Sequence, residues 1–138
     1  GSNKGTAVGQ RITFFLNSLE IVKANPLIGI GVGDFPYEYN LINNIRSPEV
    51  STTVQPHNMY MLVLAQLGVV GLSSLLWIFF NQYKIAISSS NKVISNLGVA
   101  LPLLFLVIMF AESYLLGHYT SLLYVFFSSF IYNDFREY

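Results

Sequence analysis

Cysteine and charge are what this sequence has least of. None of the 138 residues is cysteine, which excludes a disulfide framework, thiolate metal ligands and a cysteine nucleophile. Only 10% of the residues are charged, against about a quarter in an ordinary soluble domain, so the chain has too few charges to cover a soluble surface. The formal net charge is zero, and nothing in it indicates a nucleic-acid partner.

Apolar residues make up 53% of the chain, and after residue 58 they are concentrated in three runs. The first run, residues 59–80, carries no charge, and at about 1.5 Å per residue its length matches a hydrocarbon core of about 30 Å. Gly68 and Gly71 in this run form a small-residue patch, which predicts close approach of a neighbouring helix. The second run is 93–111, with Pro102 as a tolerated kink, and the third, 115–132, is short. We therefore predict an all-α, multi-span membrane protein with three transmembrane helices.

A polar segment precedes these runs. Residues 7–24 predict an amphipathic helix, because apolar residues recur at steps of three and four. The members of this apolar stripe are Val8, Ile12, Phe15, Leu19 and Val22. Pro26 ends the helix, and residues 27–35 carry glycine at every second position, which permits positive φ and close approach of another backbone or a ligand. Residues 36–55 form a turn-rich loop, in which one short helix is expected over 37–44.

The ends of the chain and its short loops bear on topology. Gly1 and Ser2 look like a cloning scar, so we expect residues 3–138 to be part of a longer protein. Lys84 and Lys92 lie between the first two apolar runs, and the positive-inside rule places that loop in the cytoplasm. Residues 3–57 are then extracytoplasmic, although their own basic residues argue the other way and are balanced by as many acids.

Six polar residues on the expected outer side are candidates for chemistry: Arg11, Arg46, His57, Asn58, Glu112 and His118. The seven acids are dispersed and no known metal-binding motif is present, so we predict no metal site and no cofactor. His57 is either a helix-start residue that caps backbone N–H groups together with Asn58, or a general base, since histidine titrates near neutrality.

The remaining candidates also have two interpretations each. The two arginines are either solvated surface residues or forks of donors for a lipid-linked phosphate. Glu112 and His118 flank the expected outward turn between the second and third runs. They lie either at the water interface or at membrane depth, where ionisable residues are costly and often functional.

Two motifs, in this order and spacing, resemble a known family. The helix with Arg11 leads into N-P-L-I-G-I-G-V-G-D-F at residues 25–35, and a polar loop then leads to H-N-M-Y-M-L-V-L-A-Q-L-G-V-V-G-L at 57–72. F-A-E-S-Y at 110–114 precedes the last short run. This order resembles the C-terminal part of the O-antigen ligase and polymerase superfamily of bacterial membrane proteins, over almost the whole chain.

The resemblance implies a metal-independent, multi-pass glycosyltransferase of the bacterial cytoplasmic (inner) membrane. Such enzymes move a glycan from a polyprenyl diphosphate carrier to an acceptor, lipid A-core or growing polysaccharide, on the outer face of the membrane. The expected partners are therefore the lipid-linked glycan donor, the lipid or glycan acceptor and membrane lipids. The resemblance also favours placing residues 3–57 outside.

The residue roles implied by the match are specific. Arg11 takes the first arginine position, which contacts the diphosphate, and His57 takes the catalytic histidine. Phe14 or Phe15 stands where this family commonly has an aromatic, often Trp, after the arginine. Arg46 is a second diphosphate candidate without a motif around it, and Asn58 and Glu112 are supporting residues.

Other functions stay open. The motifs do not separate a ligase from a polymerase or a protein O-glycosyltransferase. A non-catalytic membrane module, such as a transporter or channel fragment, is a second class, for which spans broken by Gly or Pro are typical; only Pro102 hints at it. A merely structural membrane fragment is a third.

Overall fold

The computed structural model describes residues 6–133, and every regular element in that range is helical. In chain order the elements are α1 (Ala7–Ala24), α2 (Phe35–Arg46), α3 (Met59–Ser88), α4 (Lys92–Ile108), a 3-10 turn (Tyr114–Leu116) and α5 (His118–Ile131). The predicted all-α class is confirmed for the described residues. The expected cloning scar at Gly1 and Ser2 lies outside them.

Helix α1 has the bounds that the sequence predicts, but it buries a different face. Its buried residues are Thr13, Phe14, Asn17, Ser18 and Ile21. Three members of the predicted apolar stripe, Val8, Ile12 and Phe15, are exposed instead. The buried face holds polar side chains because each has a partner: the hydroxyl of Ser18 donates to the carbonyl of Phe14, and Asn17 joins a network with α2.

Helix α2 covers and extends the short helix expected over residues 37–44. Phe35 and Tyr39 are fully buried against α1 and the start of α3. The side-chain amide of Asn17 donates to the Tyr39 hydroxyl at 3.3 Å and to the side-chain oxygen of Asn43 at 3.2 Å. Asn43 in turn donates to the backbone carbonyl of Val50 at 2.9 Å. Since buried polar groups are costly without partners, this network fixes the orientation of α2 and the following loop on α1.

Helix α3 is interrupted at Gly68, which has φ 64° and ψ −164°. In an uninterrupted helix the N–H of Val69 would donate to the carbonyl of Ala65. Here the Val69 N–H donates to Pro26 O at 2.9 Å, and Ala65 O accepts from Ile30 N at 2.9 Å.

The next pair of backbone groups is intercepted in the same way. Val70 N donates to Leu27 O at 3.2 Å, and Gly31 N donates to Gln66 O at 3.0 Å. The loop after α1 therefore occupies the break and satisfies the four backbone groups that the break frees.

Two glycines allow this contact between backbones. A Cβ on Gly29 would lie 2.3 Å from the carbonyl carbon of Gln66, and one on Gly68 would lie 2.2 Å from the carbonyl oxygen of Leu27. The alternating glycines thus permit the close backbone approach that the sequence suggests. The sequence predicted a neighbouring helix at Gly68, whereas the atoms nearest to it belong to Leu27 and Ile28 of the loop after α1.

The second half of α3 packs with α4 and α5. Phe79, Phe105 and Met109 form a buried cluster, with Tyr124 of α5 against it. At the other end a Cβ on Gly98 would lie 2.7 Å from the Cβ of Ala86, so α3 and α4 are in close contact there. The hydroxyl of Tyr132 donates to the Gly98 carbonyl at 2.6 Å. The three helices form one small bundle.

One helix of the described chain is long and apolar enough to cross a membrane: Met59–Ser88, with a mean hydropathy of 2.1 in its most apolar window. Helix α4 has 17 residues and α5 has 14, which correspond to about 26 Å and 21 Å of helix. Helical segments therefore occupy the second and third predicted spans, and the three-span topology stays a prediction.

We expect Gly68→Ala to destabilise the protein more than Gly33→Ala does. Gly33 also has a positive φ, 96°, but a Cβ there has no atom within 4 Å. Both variants place a side chain in the region that favours glycine, and only Gly68→Ala adds an overpacking cost of about 1–3 kcal/mol. Thermal unfolding of the purified protein in detergent compares them. Equal transition temperatures for the two variants would contradict the tight packing described at Gly68.

Candidate functional site

His57 is the last loop residue but one before α3, and its backbone is unusual. Its φ of 52° lies in the left-handed region, where it is the one non-glycine residue of the described chain. Asn58, and not His57, caps the helix: its side-chain oxygen accepts from the N–H of Met61 at 3.0 Å. Since the capping role belongs to Asn58, the His57 ring is left for other contacts. Strained backbone that persists is typical of functional positions.

The ring of His57 contacts Glu112, which is 55 residues later in the chain. Nδ1 lies 3.0 Å from Oε1 and 2.9 Å from Oε2 of the carboxylate. Two hydrogen bonds join the regions that carry the pair: Met59 N donates to Met109 O at 2.9 Å, and the side-chain amide of Asn58 donates to Phe110 O at 3.1 Å. The start of α3 is thus fixed to the end of α4.

The surroundings of Glu112 keep its carboxyl ionised. Burial alone would raise the pKa of Glu112, but hydrogen bonds from His57 and from the backbone N–H of Ser113, with the charges of His57 and Arg11, lower it. An ionised carboxylate only accepts hydrogen bonds, so the proton between the two groups belongs on Nδ1 of His57. When the ring carries this one proton, its lone pair is on Nε2, for which the described chain supplies no hydrogen-bond partner.

Arg11 and Phe14 of α1 complete this cluster. The guanidinium of Arg11 lies 4.0 Å from Oε2 of Glu112, and its side chain is 56% exposed. The buried ring of Phe14 stacks on the ring of His57, with centroids 5.8 Å apart. Thus α1 contributes both a cation beside the carboxylate and a wall that holds the imidazole.

A groove of about 290 Å³ runs beside the cluster, and we call it the first groove. Arg11, His57 and Asn58 are its polar lining residues. The remaining lining residues are Val8, Ile12, Phe15, Leu16, Pro56, Phe110 and Ala111. The exposed stripe of α1 therefore forms an apolar wall next to a guanidinium and an imidazole, so this groove suits a ligand with an anionic head and an apolar chain.

The structure does not bring every candidate residue to this cluster. Arg46, at the end of α2, pairs with Glu20 at 2.7 Å, and Glu20 also contacts Lys23 at 3.0 Å. These hydrogen bonds lower the pKa of the Glu20 carboxyl. Because Glu20 follows Arg11 by nine residues on α1, the Arg46–Glu20 pair lies about 13 Å along the helix axis from the cluster at Arg11 and His57. His118 is exposed at the first residue of α5. The role of Arg46 as a diphosphate ligand stays a prediction.

Two features of the site could not be found from the sequence. The stacking of Phe14 on His57 and the bidentate contact of Glu112 with Nδ1 both depend on how distant segments pack. The aromatic after Arg11 was the one available signal for the first. For metals, the described residues contain no group of three or more His, Cys, Asp or Glu that could hold an ion, and metal independence stays a prediction.

The sequence matches the family model described as O-antigen ligase over residues 2–78, which is more than half of the chain. The chain therefore belongs to the O-antigen ligase family, as its motifs indicate. No curated protein and no solved structure matches the chain. Members of this family are membrane proteins, and membership implies an enzyme of the ligase or glycosyltransferase type that acts on lipid-linked glycans. The match includes Arg11 and His57, whereas Glu112 lies beyond it.

Proposed function

We propose that this chain carries catalytic residues of a membrane glycosyltransferase, which moves a glycan from a polyprenyl diphosphate to an acceptor hydroxyl at the outer face of the cytoplasmic membrane. The observation that carries the proposal is the meeting of Arg11 and His57 on one groove, with the carboxylate of Glu112 2.9 Å from His57 Nδ1. Family membership supports the class of reaction.

The first groove matches both parts of the donor, the diphosphate and the isoprenoid chain. The planar guanidinium of Arg11 offers paired donors to diphosphate oxygens. It is more than half exposed and beyond hydrogen-bond distance from Glu112, so most of its donors are available to a ligand. The apolar wall that begins at Val8 offers the isoprenoid chain a surface continuous with the membrane.

The reaction is a single displacement at the anomeric carbon. A bond forms from the acceptor oxygen to that carbon, and the bond from the carbon to the diphosphate oxygen breaks. The electron pair leaves with the diphosphate, where Arg11 stabilises the growing negative charge. The acceptor proton goes to Nε2 of His57.

Glu112 is a positioning residue in this scheme. As an ionised acceptor it keeps the proton on Nδ1, holds the ring orientation and stabilises the imidazolium that forms when Nε2 takes the acceptor proton. A carboxylate that orients a histidine base in this way recurs in unrelated enzymes. The same geometry serves a lipid A-core, a growing polysaccharide or a protein acceptor, and needs no metal ligand from the described residues.

A transporter or channel is the second candidate, and the break in α3 is the observation in its favour. Transporters expose the free ends of broken helices to their ligands. At Gly68, however, the backbone of residues 26–31 already occupies Ala65 O, Gln66 O, Val69 N and Val70 N. These four backbone groups are therefore not open to an ion, so the enzyme is the better supported function.

The proposal requires residues 6–57 to lie outside, and cysteine labelling tests this. We expect Ser51→Cys to react with an impermeant thiol reagent on intact cells, and Ser90→Cys to react only after the membrane is permeabilised. Both positions are exposed, and the chain has no native cysteine to interfere. Protection of Ser51→Cys with labelling of Ser90→Cys on intact cells would reverse the orientation.

We expect His57→Asn to fold and bind donor but to lose transfer by about 100-fold or more, because general-base catalysis contributes about 10²–10⁴-fold. Asparagine tolerates the left-handed backbone of position 57. Its amide nitrogen takes the place of Nδ1 and can still donate to Glu112, whereas nothing replaces Nε2. Glycan transfer and donor binding are measured on the full-length protein.

His57→Gln is the matched control, because its amide nitrogen reaches toward the place of Nε2 but cannot accept a proton. It tests whether a non-basic nitrogen at that place restores transfer. We expect it to be as inactive as His57→Asn. Transfer at a near wild-type rate by either variant would show that His57 is not the base.

We expect Arg11→Lys to lower kcat/KM by about 10- to 1,000-fold although the charge is kept, because lysine lacks the planar fork. The same measurement on Arg46→Lys decides the second arginine: an equal loss places Arg46 on the diphosphate, and a near wild-type value leaves it as the partner of Glu20. Unchanged kinetics of Arg11→Lys would remove Arg11 from the donor site.

A further inference from the structure

Glu112 lines a second groove, which shares no lining residue with the first. Its volume is about 380 Å³, within the range of small-molecule pockets. Its lining residues are Val54, Gln55, Glu112, Ser113, Tyr114, Leu116, Gly117, Tyr119 and Thr120. None of them is a cation, whereas Arg11 lines the first groove. We call this space the second groove.

Its polar groups have hydrogen-bonding capacity left for a ligand. The hydroxyl oxygen of Ser113 is buried and has no partner within the described chain, and the whole residue is 4% exposed. An unpartnered buried hydroxyl is costly. The carboxylate of Glu112 accepts from His57 and from Ser113 N, yet a carboxylate offers about four lone-pair sites.

Two tyrosines line the second groove, and hydrogen bonds hold the turn that carries one of them. The hydroxyl of Thr120 donates to the carbonyls of Tyr114 and Gly117, which holds the turn that carries Tyr114. Tyr119, the next residue along α5 from His118, is 86% exposed. Together with the Gln55 amide, these residues make a site of hydroxyl, amide and carboxylate groups beside aromatic surfaces. Such a combination suits a hydroxyl-rich ring.

The charges decide which substrate each groove takes. The diphosphate of the donor is attracted to Arg11 in the first groove and repelled by the carboxylate that lines the second. A neutral sugar has hydroxyls that donate to a carboxylate, so it is favoured where the diphosphate is not. Glu112 lines the second groove and contacts His57 of the first, so a sugar bound in the second groove contacts the residue that positions the base.

Resting on the proposed function, we propose that the second groove, with Gln55, Glu112 and Ser113 as its polar contacts, is the subsite that binds the acceptor sugar. The donor groove then contains His57 of the pair, and the acceptor groove contains Glu112. The expected ligand is a sugar ring. Both the acceptor and the glycan of the donor carry such rings, and the KM values of the two substrates distinguish them.

Filling the groove tests this subsite. Val54 is 69% exposed, so Val54→Trp places a large side chain at the groove without disturbing the core. In the full-length protein we expect Val54→Trp to raise the KM for the acceptor at least 10-fold and to leave the KM for the lipid-linked donor unchanged. Ile45→Trp, at a position of α2 that is 83% exposed and lines neither groove, is the matched control and should change neither constant.

Gln55→Ala provides a second variant that removes a polar contact without adding bulk, and we expect it to raise the acceptor KM about 3- to 10-fold. An unchanged acceptor KM in both variants, with wild-type transfer intact, would overturn the acceptor subsite and leave the proposed function standing. A raised donor KM would overturn it as well, by assigning the groove to the donor glycan. Absence of transfer by the wild-type protein would reject the proposed function and the subsite together.

Discussion

The architecture depends on the backbone exchange at Gly68. Two N–H groups and two carbonyls that would pair within α3 bond instead to residues 26–31. No side chain takes part, so the contact is independent of side-chain identity except where a Cβ would collide, at Gly29 and Gly68. Because the same loop follows α1 directly, the exchange fixes the end of α1 to α3. The packing of Phe14 on His57 is a second contact between the two helical regions, beside the first groove.

This exchange divides α3 into two segments with different surroundings. The segment before Gly68 begins directly after His57 and Asn58 and packs against α1 and α2. The segment after Gly68 packs with α4 and α5 around Phe79. Because residues 26–31 pair with the four backbone groups intercepted at the break, one long apolar helix can support the site at its start and the bundle at its end.

The sequence predicted what depends on local pattern. The bounds of α1, the glycine loop with its positive φ, and the outward candidates Arg11 and His57 follow from periodicity, residue type and motif order. It could not predict the face that α1 buries, because the burial of Asn17 depends on partners from α2. The sequence named Glu112 as a candidate, but it could not predict the contact with His57, since that contact joins residues 55 positions apart through the packing of α3 on α4.

The electrostatics of the cluster explain how one carboxylate is compatible with the proposed site for an anionic donor. Glu112 makes short contacts with His57 and with the backbone of Ser113, but its contact with Arg11 is 4.0 Å. Two near groups thus hold the carboxylate in place, and the arginine pairs with it only loosely. An arriving diphosphate can then take the guanidinium without removing the hydrogen-bond partners of Glu112. In the proposed reaction the carboxylate stays paired with the imidazole, and the incoming negative charge meets Arg11.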